Sequence, residues 1–193
     1  MLAVTLEGFL NYQRNEAWTW EHMALCRARP IYGSSAGREQ LSGGIRSILS
    51  APRDGGKMRS DAAQMREEMA RHKPPSSPLD IKLGPGGLVD LEFAVHTLQL
   101  EHGQGFDPRL EFAIEGLAQQ GLIDAAYDAD LRLLSRILVV MRLVAPDSNE
   151  PPEKSRGLVA SLCGHESWES LLAAHDEARQ RIAALWKSVR EAQ

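Results

Sequence analysis

The sequence predicts an all-α fold, a single helical-bundle-like domain of seven to nine helices, and three observations carry that expectation. Apolar residues recur at helical spacing through most of the chain, and the alternation expected of strands is nearly absent. Prolines and glycines cluster between the periodic runs, where connections belong.

The elements follow in order. Thr5 is placed to cap a first helix through residues 6–13, its hydroxyl accepting from an otherwise orphan amide. The run "EAWTWEHMALCRAR" sets Trp18, His22 and Leu25 on one helical face and stops near Pro30. Residues 38–50 and 54–72 form two further helices, parted by Pro52, Gly55 and Gly56. "KPPSSP" (residues 73–78) is the clearest break, a connection reaching to about residue 80, because three prolines remove donors and fix the backbone. Leu88, Leu91, Val95 and Leu98 then mark a helix with one buried stripe. Another helix is expected from Asp107-Pro108, aspartate capping and proline first. Residues 124–145, apolar around much of the helix, read as the central one. A loop over 146–154 precedes a short helix capped by Ser155 and ending at Gly164. The last run puts Leu171, His175, Ala178, Ile182, Leu185 and Val189 on a single face.

Composition bounds the function. The 193 residues suffice for a real core, and 43% apolar with 25% charged residues describes a globular chain. A net charge of -4 gives no support to nucleic-acid binding, and no apolar run is long enough to span a membrane. Cys26 and Cys163 lie far apart with no metal-ligand spacing, as in two buried thiols of a reducing, cytoplasmic compartment. His175 on its apolar stripe reads as a core histidine. Asp128 and Asp130 read as acids at a helix start rather than metal ligands, since positions i and i+2 diverge on a helix. No metal site and no catalytic set is expected in this stretch.

Two segments carry chemistry. In "RAR", Arg27 and Arg29 are either favourable cations at a helix end or guanidinium ligands for a phosphate or carboxylate. In "DIKLGPGGLVDLEF" (80–93), three glycines and a proline in four positions demand a sharp turn or a close approach. The turn feeds directly into a helix whose free amides could face an anion, unless Asp90 folds back as an internal cap; Lys82 is the only nearby cation.

Together, "YQRNEAWTWEHMALCRARPIYG" (12–33) and "DIKLGPGGLVDLEFAVHTLQL" (80–100) resemble the glutamine synthetase adenylyltransferase/adenylyl-removing family, in the segment after its C-terminal nucleotidyltransferase domain. The shared patterns are W-E-x-x-A-L-x-R-A-R and K-x-G-P-G-G-L-x-D-x-E-F. The resemblance implies an enzyme that moves AMP from ATP to a tyrosine of glutamine synthetase and removes it by phosphorolysis, with Mg²⁺ and ATP held by a polymerase-beta-like core. That core needs a Gly-Ser turn followed about ten residues later by D-x-D. Here Gly33-Ser34 is followed by "GIRSIL", with no acid. The resemblance thus implies a helical domain that starts just after the catalytic strands and runs to the parent's C-terminus, inactive alone and binding no cofactor of its own. Its implied partners are glutamine synthetase, the upstream nucleotidyltransferase domain and, as a possibility left open, the PII signal protein. Matched by position, Glu21, Arg27, Arg29, Lys82, Gly86, Gly87, Asp90 and Glu92 are candidates for a substrate or domain interface. They could equally form an internal network, with Arg27 or Arg29 reaching Asp90 or Glu92. A regulatory module binding PII or glutamine, or a uridylyltransferase helical domain, is the alternative function.

Overall fold

A computed structural model describes residues 3–146 and 149–192. Its described residues form nine α-helices and no strand: α1 (Leu6–Asn15), α2 (Thr19–Leu25), α3 (Ser35–Leu49), α4 (Gly55–His72), α5 (Leu88–His102), α6 (Leu110–Gln119), α7 (Tyr127–Val144), α8 (Glu153–Leu162) and α9 (Trp168–Glu191). Local chemistry sets several starts. Thr5, Ser34, Asp54 and Ser167 each accept an amide of the first turn from the N-cap position.

The centre of the molecule is α5, not α7. Every residue of α5 from Leu88 to Leu100 is buried except the half-buried Glu92, and the helix packs against α2, α4, α6, α7 and α9. The stripe of Leu88, Leu91, Val95 and Leu98 is therefore only one side of a helix covered on all sides, so the apolar periodicity understated its burial. By contrast, α7 buries Leu134, Ile137 and Met141 but leaves Val139 and Leu143 on its outer face, so its apolar circumference is not a sign of centrality. The stripe expected on α9 is buried throughout, from Leu171 to Val189.

Several boundaries differ from expectation, among them α3, which starts at Ser35 rather than at 38, and α7, which starts at Tyr127 rather than at 124. α6 starts at Leu110 with Arg109 as N-cap; Asp107 instead accepts from the Arg109 amide at 2.8 Å, closing a turn ahead of the helix. α8 starts at Glu153 after Pro152, so Ser155 lies inside the helix rather than capping it. α2 ends at Leu25, and Arg27 and Arg29 follow it in a tightened turn, with Arg27 N–H donating to Ala24 and Ala28 N–H to Leu25. Positions 147 and 148 of the expected 146–154 loop lie outside the described residues.

Candidate functional site

The glycine-rich turn is built by close approach to α9. Gly86 has φ +72°, and a Cβ there would lie 2.1 Å from the Arg179 carbonyl oxygen. At Gly87 a Cβ would meet the Ile81 carbonyl at 2.6 Å, and at Gly84 the Asp80 carbonyl at 2.7 Å. The Arg179 side chain then clasps the turn, donating from Nε to Pro85 O (2.8 Å) and from Nη1 to Pro78 O (2.9 Å). Asp80 knits the preceding loop by accepting from Ser76, Lys82 and Leu83. Burial alone would raise its carboxyl pKa, but those donors outweigh burial and hold it below the ordinary value.

The amides of this turn are spent internally. Gly84, Gly87, Leu88 and Val89 donate to the carbonyls of Asp80, Gly84, Ile81 and Lys82. Gly86 N–H donates to Asp90 Oδ2 at 2.6 Å. Of the two readings of the turn, Asp90 as an internal cap is the observed one, and those amides are closed to a phosphate. The other Asp90 oxygen accepts from Arg66 Nε at 2.6 Å, a pair whose side chains are only 10% and 7% exposed, and Arg66 Nη2 donates to Leu83 O.

The two charged motifs do meet. Arg27 Nη1 lies 3.2 Å from Glu92 Oε2, joining α5 to the turn after α2 through a half-exposed pair. Glu21 works locally instead, where its Oε2 accepts the Trp18 amide that opens α2 and its Oε1 accepts the Tyr12 hydroxyl. Arg29 and Lys82 are exposed and have no ion-pair partner among the described residues. Six of the eight candidates thus serve the internal framework, and two cations remain free.

Sequence reasoning missed Arg66 and Arg179. Both act over long chain separations, on α4 and α9, and nothing in their local patterns marks them. Asp128 and Asp130 both lie in the first turn of α7, as expected, and Asp130 is in addition buried and held by Arg181 through two hydrogen bonds of 2.6 and 3.1 Å, whereas Asp128 pairs with Arg132. The two aspartates are therefore committed to different arginines. Among the described residues no three His, Cys, Asp or Glu side chains gather as a metal would require. The donor set here does not fit Mg²⁺, and no chemical step is assigned to that ion on these residues.

Three histidines are kept neutral by their surroundings. Burial pushes His96 down to about 4; the Gln99 hydrogen bond opposes this and the Arg27 charge adds to it. His175 is lowered by burial and then by Arg179; it reaches Asp176 through Nδ1, and its Nε2 has no partner, so it is a core histidine only half satisfied. His22 is lowered chiefly by burial and also by Arg53, and its Nε2 lies 2.8 Å from Gln13 O. Arg53 itself closes the C-terminus of α3, donating to the carbonyls of Ile48, Leu49 and Ala51.

Comparison with known proteins fits this arrangement. Residues 1–43 match the family model of glutamate-ammonia ligase adenylyltransferase, and residues 57–189 match that of GlnD PII-uridylyltransferase. A bifunctional glutamine synthetase adenylyltransferase/adenylyl-removing enzyme of Brucella suis is 38% identical over 170 residues, 84% of this chain and 17% of the relative. Similar enzymes of Caulobacter vibrioides (34%) and Rhizobium meliloti (36%) align over 199 residues, 97% and 98% of this chain and 20% of each relative. An all-helical chain matched by an adenylyltransferase model and a uridylyltransferase model is similar to nucleotidyltransferases. The chain belongs to the glutamine synthetase adenylyltransferase/adenylyl-removing family. It spans about a fifth of the length of the curated relatives it matches.

Proposed function

We propose that this chain is the helical domain that follows the nucleotidyltransferase core in a parent enzyme that transfers AMP from ATP to a tyrosine of glutamine synthetase and removes it by phosphorolysis. The observation that carries the reading is the division of labour within the two motifs. Glu21, Arg27, Gly86, Gly87, Asp90 and Glu92 hold the domain's own frame, while Arg29 and Lys82 stay exposed and unpaired. Free guanidinium and ammonium groups suit a phosphorylated substrate or an acidic face of the adjoining domain.

Exposed apolar residues support an adjoining domain. Trp18, Trp20, Ile31 and Tyr32 are 72%, 50%, 86% and 94% exposed, and all fall within the stretch matched by the adenylyltransferase model. Large apolar side chains in that number mark a contact surface. ATP and Mg²⁺ then belong to the core, a cytoplasmic setting follows from the substrate, and glutamine synthetase is the partner. The match of residues 57–189 to a PII-uridylyltransferase model favours one second reading, a helical domain that regulates transfer through PII or glutamine.

The test is direct. With glutamine synthetase, labelled ATP and Mg²⁺, this chain alone should leave the protein unlabelled, and the same chain joined to its upstream region should label it. Labelling by the chain alone would overturn the domain reading.

A further inference from the structure

A cavity of about 400 Å³ opens beside the glycine-rich turn, between α4 and α9. Buried Arg66 and Asp90 reach it from one side; Trp186, Lys187 and Arg190 line it from α9, and Glu67 from α4. Arg66 spends Nε on Asp90 and Nη2 on the Leu83 carbonyl, leaving Nη1 with no hydrogen-bond partner among the described residues. Lys187 is exposed and has no ion pair among the described residues, and Arg190 reaches only its neighbour Glu191, at 3.4 Å in a solvent-washed pair.

Three cations thus face two carboxylates around one concavity, and one of those carboxylates, Asp90, is already committed to Arg66. The available donors are a guanidinium edge held by its buried pair and two exposed cations. That combination recognises a planar or tetrahedral oxyanion. Trp186 supplies an apolar wall, 6% exposed and fixed edge-on against Phe93 at 5.8 Å. The volume is in the range of small-molecule sites.

We propose that this cavity binds a small molecule bearing a carboxylate or phosphate, its oxyanion held by Arg66 Nη1, Lys187 and Arg190 and its body against Trp186. Glu67 limits the charge: one negative group neutralises the wall, and further ones are repelled. The site is separate from the free cations Arg29 and Lys82, and its test needs no AMP transfer.

The four tryptophans give four indole N–H signals in a proton–nitrogen NMR spectrum, and Trp186→Phe identifies the relevant one. Inorganic phosphate and glutarate are each titrated against sodium chloride of matched ionic strength. A saturable shift of the Trp186 signal is expected; saturation with phosphate alone or with glutarate alone assigns the group. The exposed pair Lys187→Ala/Arg190→Ala should weaken binding by about tenfold or more with the melting temperature unchanged. Glu67→Gln should tighten it. A response no larger than that to sodium chloride, or one indifferent to the double substitution, would overturn the proposal.

Discussion

Gly86 sits at φ +72° with the Arg179 carbonyl where a Cβ would go, so a side chain there must both enter the left-handed region and push α9 away. The backbone conformation alone costs an L-residue about 1–2 kcal/mol, and Gly86→Ala should lower stability by more than about 2 kcal/mol in urea unfolding. Gly157 is the control: it lies inside α8 with nothing within 4 Å of where a methyl would stand, so Gly157→Ala should raise stability by about 0.5–1 kcal/mol. Two of the ion pairs on α5 also separate at this scale. Removing Asp90 leaves Arg66 charged and buried, a loss of about 3–5 kcal/mol, whereas the half-exposed Arg27–Glu92 pair should couple by less than about 1 kcal/mol in a double-mutant cycle. Strong coupling at Arg27–Glu92 and none at Arg66–Asp90 would invert the account. The need for glycine was legible in the sequence because three glycines around a proline have few structural explanations. Arg179, which imposes that need, was not, because its contact spans about half the chain and leaves no local trace.

At the scale of the element, α5 shows what periodicity reads well and what it reads poorly. Its existence, its start after Gly87 and its first apolar positions were legible; its burial on every side was not. The reason is His96, Thr97 and Gln99, polar residues that interrupt the apolar pattern yet are buried. Their burial comes from neighbours contributed by distant helices, and His96 Nε2 and Thr97 Oγ1 remain without partners. α7 misled in the opposite sense, since Val139 and Leu143 are apolar but exposed. A pH dependence follows from His96. Its folded-state pKa is lowered to about 4 by burial, while the unfolded chain titrates near the ordinary value of about 6.5. Between those values the unfolded state binds the extra proton, so stability is full above about pH 6.5 and falls as pH drops toward 4, by on the order of 3 kcal/mol. His22 and His175, also lowered, add in the same direction. Melting temperatures from pH 7 to 4.5 should decline, and His96→Gln should flatten the decline. A slope unaltered by that substitution would remove His96 as the cause.

For the whole molecule, the account rests on how the two motifs divide: a frame locked by Gly86, Asp90 and Arg66, tied to the α2 end by Arg27 and Glu92, and two cations left over. The meeting of the motifs was legible, because charges on two core-packed segments need partners. Which charges would stay free was not, since that depended on Arg66 arriving from α4 and on Glu21 turning back to the start of α2. The most direct measurement is AMP transfer to glutamine synthetase by the parent enzyme carrying Arg29→Ala and Lys82→Ala, with the melting temperature of the same variant in this helical domain recorded alongside. The account predicts an unchanged melting temperature and a fall in transfer of about tenfold or more, the loss of a charged contact. Full transfer by that variant, or a melting temperature that falls with it, would contradict the division between frame and free cations.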